Sequence, residues 1–175
     1  MAAVIAVNTV IILIALHHGY KRCPAGKVLV ITGKTPTGRP ICIQGGAAFV
    51  WPLMQQSTFL DLTPMPVALA MKEVTAAGGQ PLSMSLAGSV MISTRPGVLE
   101  IAAQRLAGLA AERIQSQAQE MLAGNVRQAA AGMSAEQISK NASSLAEEVR
   151  KLSGPQLEQL GLDLTQLTIT EVKPA

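Results

Sequence analysis

The residues able to do chemistry are few, and their spacing decides against most of the chemistry they suggest. Gly33-Lys34-Thr35 within "TGKTPTG" supplies the G-K-T of a phosphate-binding loop. That loop also needs a glycine five positions before Gly33, where the chain has Val28, and a helix afterwards, which Pro36 and Pro40 forbid. The only two histidines, His17 and His18, are adjacent at the end of an apolar run, and the two cysteines, Cys23 and Cys42, have no further ligands at zinc spacing. A Cys23–Cys42 disulfide is arithmetically open; two free thiols in a reducing compartment is the preferred reading. No G-x-S-x-G or H-E-x-x-H occurs. Glu147 and Glu148 are neighbours, so on a helix they point apart and form a solvated face. Asn141-Ala142-Ser143 matches a glycosylation sequon, with no meaning in a cytosolic domain. The expectation is a protein with no catalytic residues, no metal and no cofactor.

Charge and apolarity carry more information. Charged residues are 14% of the chain, against about 25% in ordinary soluble domains, and hydrophobic residues are 49%. Residues 1–60 hold five basic groups (Lys21, Arg22, Lys27, Lys34, Arg39) and no acid, whereas residues 61–175 hold nine basic groups and eleven acids. Five charges so spaced, without interleaved aromatics, do not form a nucleic-acid face.

Ahead of the first basic residues, "AAVIAVNTVIILIAL" (2–16) carries no charge. As a helix it spans roughly 22 Å, or roughly 30 Å with its flanks, which reaches the thickness of a hydrocarbon core. It lacks the positive leader of a signal peptide and the polar face of an interfacial helix. Residues 1–19 are therefore expected to be an uncleaved membrane anchor, spanning or re-entrant. Tyr20, Lys21, Arg22, Cys23 and Lys27 are its juxtamembrane flank, and by the positive-inside bias the remainder faces the cytoplasm. Cys23 there is an ordinary thiol or an acylation site.

A second apolar feature is "GGAAFVWPLMQ" (45–55). Three of the four aromatics, Phe49, Trp51 and Phe59, fall within eleven residues. Read as a loop hinged on Gly45-Gly46, this stretch offers Phe49, Val50, Trp51 and Leu53 as a second bilayer contact, the alternative being that the aromatics plug a core.

The elements that must position these residues follow from periodicity. "KVLVIT" and "PICIQ" read as a hairpin about Pro36 and Gly38. "STFLDLTPMPVALAMKEVTA" and "QPLSMSLAGSVMIS" read as further strands about Gly78-Gly79, the second alternating Leu82, Met84 and Leu86 with serines. From Arg95 the period becomes helical: 97–108, a long Ala/Gln-rich helix over 109–132, a short one opened by the capping box Ser134–Gln137, and one over 142–160 interrupted at Gly154-Pro155. "LDLTQLTITEV" closes as a strand. Strands, then helices, then a strand describe an α+β domain.

In this order, "YKRCPAGKVLVITGK", "GGAAFVWPLMQQSTFLDLTPMPV", "LAGNVRQAAAGMSAEQI" and "LSGPQLEQLGLDLTQLTITEV" resemble the SPFH superfamily (stomatin, prohibitin, flotillin), nearest to the flotillin branch. The resemblance implies a β-rich first subdomain at the bilayer (20–80) and an α+β second subdomain (81–173). The second packs beside its neighbours in an oligomeric ring; the coiled coil that in relatives follows and closes the ring into a cage is absent from this chain. The function implied is a membrane-anchored scaffold of the plasma or bacterial inner membrane. Its partners are the lipid bilayer, further copies of itself or another membrane protein, and it organises membrane microdomains. The alternative is a regulatory adaptor of a membrane protease or transporter, as in prohibitin-like relatives.

Overall fold

The computed structural model describes residues 19–35, 38–51 and 54–174. Eight strands and four helices follow in the order β1 (Tyr20–Arg22), β2 (Lys27–Gly33), β3 (Ile41–Gln44), β4 (Ala47–Phe49), β5 (Gln55–Asp61), β6 (Met65–Thr75), β7 (Pro81–Ile92), α1 (Val98–Leu106), α2 (Ala111–Ala131), α3 (Ala135–Lys140), α4 (Ala142–Leu160) and β8 (Leu162–Pro174). They make a two-stranded sheet β1-β4, a three-stranded sheet β3-β2-β5 and a second three-stranded sheet β6-β7-β8, all antiparallel.

The apolar run Val28–Ile31 explains how the sheets stack. A strand that is apolar at every position is buried on both faces. Val28 and Val30 enter the main core, with Leu60, the inward residues of β6 to β8 and the helices, while Leu29 and Ile31 form a second, smaller core with Cys23 and Val50. The hairpin β2–β3 forms as expected, with Val28 opposite Gln44 and Ile31 opposite Ile41.

Helix α2 buries Ile114, Ala118, Leu122, Val126, Ala129 and Ala130, one stripe at helical spacing. In α1 the buried face is Leu99, Ala102, Ala103 and Leu106; of the residues that helical spacing suggests (Val98, Ile101, Ala102 and Arg105) only Ala102 is on it. The capping box is present: the Gln137 amide donates to Ser134 Oγ at 3.3 Å and the Ser134 amide to Gln137 Oε1 at 3.1 Å. Helix α4, by contrast, is not interrupted. It runs through Gly154-Pro155 to the left-handed cap at Gly161 (φ 85). Pro155 removes the donor for the carbonyl of Lys151, a solvent-exposed residue whose carbonyl can turn to water, so the helix survives the proline.

The membrane-spanning helix expected as part of the fold is corrected: among the described residues no helix is long and apolar enough to cross a membrane. At 21 residues α2 measures about 31 Å, long enough by length alone. Its outer face, however, carries Glu112, Arg113, Glu120 and Arg127, which bind it to water. The segment assigned to anchoring lies, except for Gly19, outside the described residues. What the described residues form is a mixed α/β domain. The expected division at residues 80 and 81 runs between β6 and β7, which pair along their length.

Candidate membrane-contacting surface

β1 and β4 are three residues each and carry too little pattern to be read from sequence, yet they decide where the aromatics point. In an antiparallel pair, directly opposed residues share a face. Tyr20 is opposite Phe49 and Arg22 opposite Ala47, so these four face one way; Lys21 is opposite Ala48. The ladder extends to Val50, whose amide donates to the Gly19 carbonyl at 2.8 Å. Alternation then turns Ala48 and Val50 inward onto Cys23, Leu29 and Ile31, and Phe49 and Trp51 outward. Val50 is 5% exposed, Phe49 39%, Tyr20 54% and Trp51 60%. Within the four residues expected to meet a bilayer, Val50 is core, Phe49 and Trp51 are surface, and Leu53 lies outside the described residues.

The outward aromatics are held. The Phe49 and Trp51 rings meet edge to face with centroids 5.8 Å apart. Gly19 lies under the Phe49 ring so closely that a Cβ there would meet Phe49 Cε2 at 2.5 Å. Beyond Trp51 the chain is pinned by Gln55: its Oε1 accepts from the Trp51 amide at 3.0 Å and its Nε2 donates to the Lys34 carbonyl at 3.2 Å. The Lys34 amide donates to Met54 at 3.0 Å, so β2 and the loop close on each other, and Met54 is left exposed beside Trp51. Gln55 and Met54 are neighbours of these aromatics that sequence reasoning did not single out; a glutamine in "MQQ" signals nothing until the loop is folded.

The juxtamembrane residues separate. Tyr20, Phe49, Trp51, Met54 and Lys34 gather where β2 ends at Gly33. Lys27 begins β2 at its other end, about 20 Å away. There it forms a 3.9 Å ion pair with Asp61. Cys23 is buried, its thiol donating to the Lys27 carbonyl at 3.1 Å, which keeps it from a reagent or an acyl donor. Phe59 faces Leu29 from β5, apart from the other aromatics.

Among the described residues no group of three or more His, Cys, Asp or Glu could hold a metal. Both cysteines are free thiols. A recess of about 960 Å³ runs between β3 and the start of α1 and is lined by Arg39, Cys42, Thr94 and Glu100 among others. Burial, with Glu100 adding to it, pushes the Cys42 thiol up, away from the thiolate a nucleophile needs. His17 and His18 lie outside the described residues.

The chain is similar to the Flotillin-like protein FloT of Bacillus subtilis (28% identical over 131 residues, 75% of this chain and 26% of that protein). It is also similar to the Flotillin-1 proteins of Drosophila melanogaster (25% over 156 residues, 89% and 36%) and Homo sapiens (26% over 153 residues, 86% and 35%). It thus spans between a quarter and just over a third of the length of these relatives. The family model for the SPFH domain / Band 7 family matches residues 21–175, and the chain belongs to this family.

Proposed function

We propose that the chain is the membrane-apposed part of a flotillin-like scaffold that self-associates and organises membrane microdomains or partner membrane proteins. One observation carries this reading: Tyr20, Phe49, Trp51 and Met54 are large, outward and clustered at one end of the domain. Aromatic side chains with one wet and one apolar side favour the headgroup region. Lys34, beside them, and Arg22, on their face, suit the anionic cytoplasmic leaflet. In the full-length protein the association is ring-like and the domain faces the cytoplasm. The two subdomains divide between β5 and β6, since β6 shares its sheet with β7 and β8.

Trp51 is the only tryptophan, so its emission reports the contact directly. Adding anionic vesicles is expected to shift it to the blue. Substituting Phe49→Ser and Trp51→Ser together should weaken vesicle partitioning by about tenfold or more, from the apolar area no longer buried. Flotation assays compare the full chain with a form lacking residues 1–18, so that the described surface is read alone. An unshifted emission, or undiminished flotation of the doubly substituted shorter form, rules this surface out as the contact.

A further inference from the structure

The sheet β6-β7-β8 has two edges, and the fold treats them differently. The first part of the β6 edge is covered by α2, one turn of which spends two glutamines on it. Gln115 Nε2 donates to the Pro66 carbonyl at 2.5 Å and Gln119 Nε2 to the Ala68 carbonyl at 3.4 Å. Helix spacing of four thus meets strand spacing of two, and the carbonyls a foreign strand would use are occupied. β8 is 13 residues long, and among the described residues it pairs with β7 alone. Midway along it a recess of about 330 Å³ opens against α4, bounded by Ala142, Ala146 and Glu147 on the helix and by Leu167 and Ile169 on the strand. α4 leaves room at this point for side chains from outside.

The β8 sequence is close to a chemical palindrome about Thr168. Its apolar residues Leu162, Leu164, Leu167, Ile169 and Val172 are spaced 2, 3, 2, 3. The spacings of three fall where β8 slips register against β7, between Leu164 and Gln166 and between Ile169 and Glu171. Each slip is a bulge that returns the next apolar residue to the helix side. Lay a second copy of the strand antiparallel over all 13 residues, and the two-fold axis passes through Thr168. Leu164 then meets Val172, Leu167 meets Ile169, Asp163 meets Lys173 and Gln166 meets Thr170, and the two bulges fall one residue out of step with each other. The register that pairs the most backbone is also the one that matches apolar with apolar and acid with base.

We propose that β8 is a self-association strand. Two copies of this chain pair antiparallel through β8 into a continuous six-stranded sheet, with the half-buried Ile169 of each strand set beside Leu167 of the other at the recess against α4. Such a contact is isologous and closes at two copies, so it stands apart from the head-to-tail contact that a ring requires. It rests on the self-associating reading of the family and adds a surface and a register to it.

The test uses the 175-residue chain in detergent with Cys23 and Cys42 replaced by serine. Opposed positions in an antiparallel pair hold their Cα atoms about 4.5 to 5.5 Å apart, within disulfide range. Thr168→Cys is therefore expected to give a disulfide-linked dimer as its main oxidised species. Ser116→Cys, exposed on α2 at the opposite edge of the sheet, serves as the distant control. Lys173→Glu, which leaves the in-chain ion pair of Arg95 with Asp163 intact and removes the one of Lys173 with Glu171, should weaken the dimer about 3- to 30-fold at low salt by sedimentation. Oligomers that form without preferential linkage at Thr168 overturn the β8 contact and leave self-association standing. A monomer at all concentrations, with no linkage, overturns the contact and the chain's self-association together.

Discussion

Val50 and Trp51 are adjacent, apolar and equally plausible as membrane residues on composition, yet one is core and the other surface. The difference is the pleat of a strand too short to show periodicity. Cys23 and Cys42 diverge in the same way. Cys23 is closed off by the turn into β2, and Cys42 lines an open recess with a carboxylate for company. Since burial and then Glu100 raise the Cys42 pKa, its thiolate forms at higher pH than that of a free cysteine. Alkylation of Cys42 followed by peptide mass spectrometry should accordingly show a rate profile displaced to higher pH. Glu100→Gln should move the profile partway back; an unmoved profile would leave burial as the sole cause.

Helix ends and sheet edges are where the elements are decided. α4 stops at Gly161 in the left-handed conformation, and a Cβ there would run into Ala102 of α1. Two separate penalties, backbone and steric, meet at one residue. Gly161→Ala should cost about 3 kcal/mol, seen as a lower midpoint in denaturant unfolding at unchanged slope. Between α2 and α4, buried Asn125 donates at 3.0 Å to both Ser153 and Gln156, a polar lock that sets how the two helices meet. The helices and the capping box were legible because local patterns specify them. β1 and β4 were not, because three residues give no period, and neither was the membership of β6. A strand's neighbour is chosen by packing across many residues of chain, and the Gly78-Gly79 turn marks a hairpin without saying which sheet owns it.

For the whole molecule, the unequal charge of its two parts becomes a question of orientation. Residues 1–60 are +5 and the remainder −2. The outward aromatics lie on the basic part, so attraction to an anionic surface and apolar insertion act on the same side. Binding to anionic vesicles should weaken on the order of tenfold between low salt and about 1 M, where the screening length falls to about 3 Å. Binding to neutral vesicles should change little. Cosedimentation across salt checks this, and equal salt dependence on both lipids would remove the electrostatic part. Lys27 is expected to contribute least, being paired with Asp61 at the far end of β2.

The amino-acid sequence by itself determined the family and the order of the helices and the longer strands. These are carried by ordered local motifs, and local chemistry specifies turns, caps and periods. Whether an apolar residue is core or contact was decided only by the tertiary structure. Val28 through Ile31 had to be sandwiched between two layers before Val50 could turn inward and Phe49 and Trp51 outward. The spacing of five apolar residues in β8 was visible from the start. Only the pairing with β7 revealed that its irregular steps are bulges and that, among the described residues, β8 pairs on one side alone.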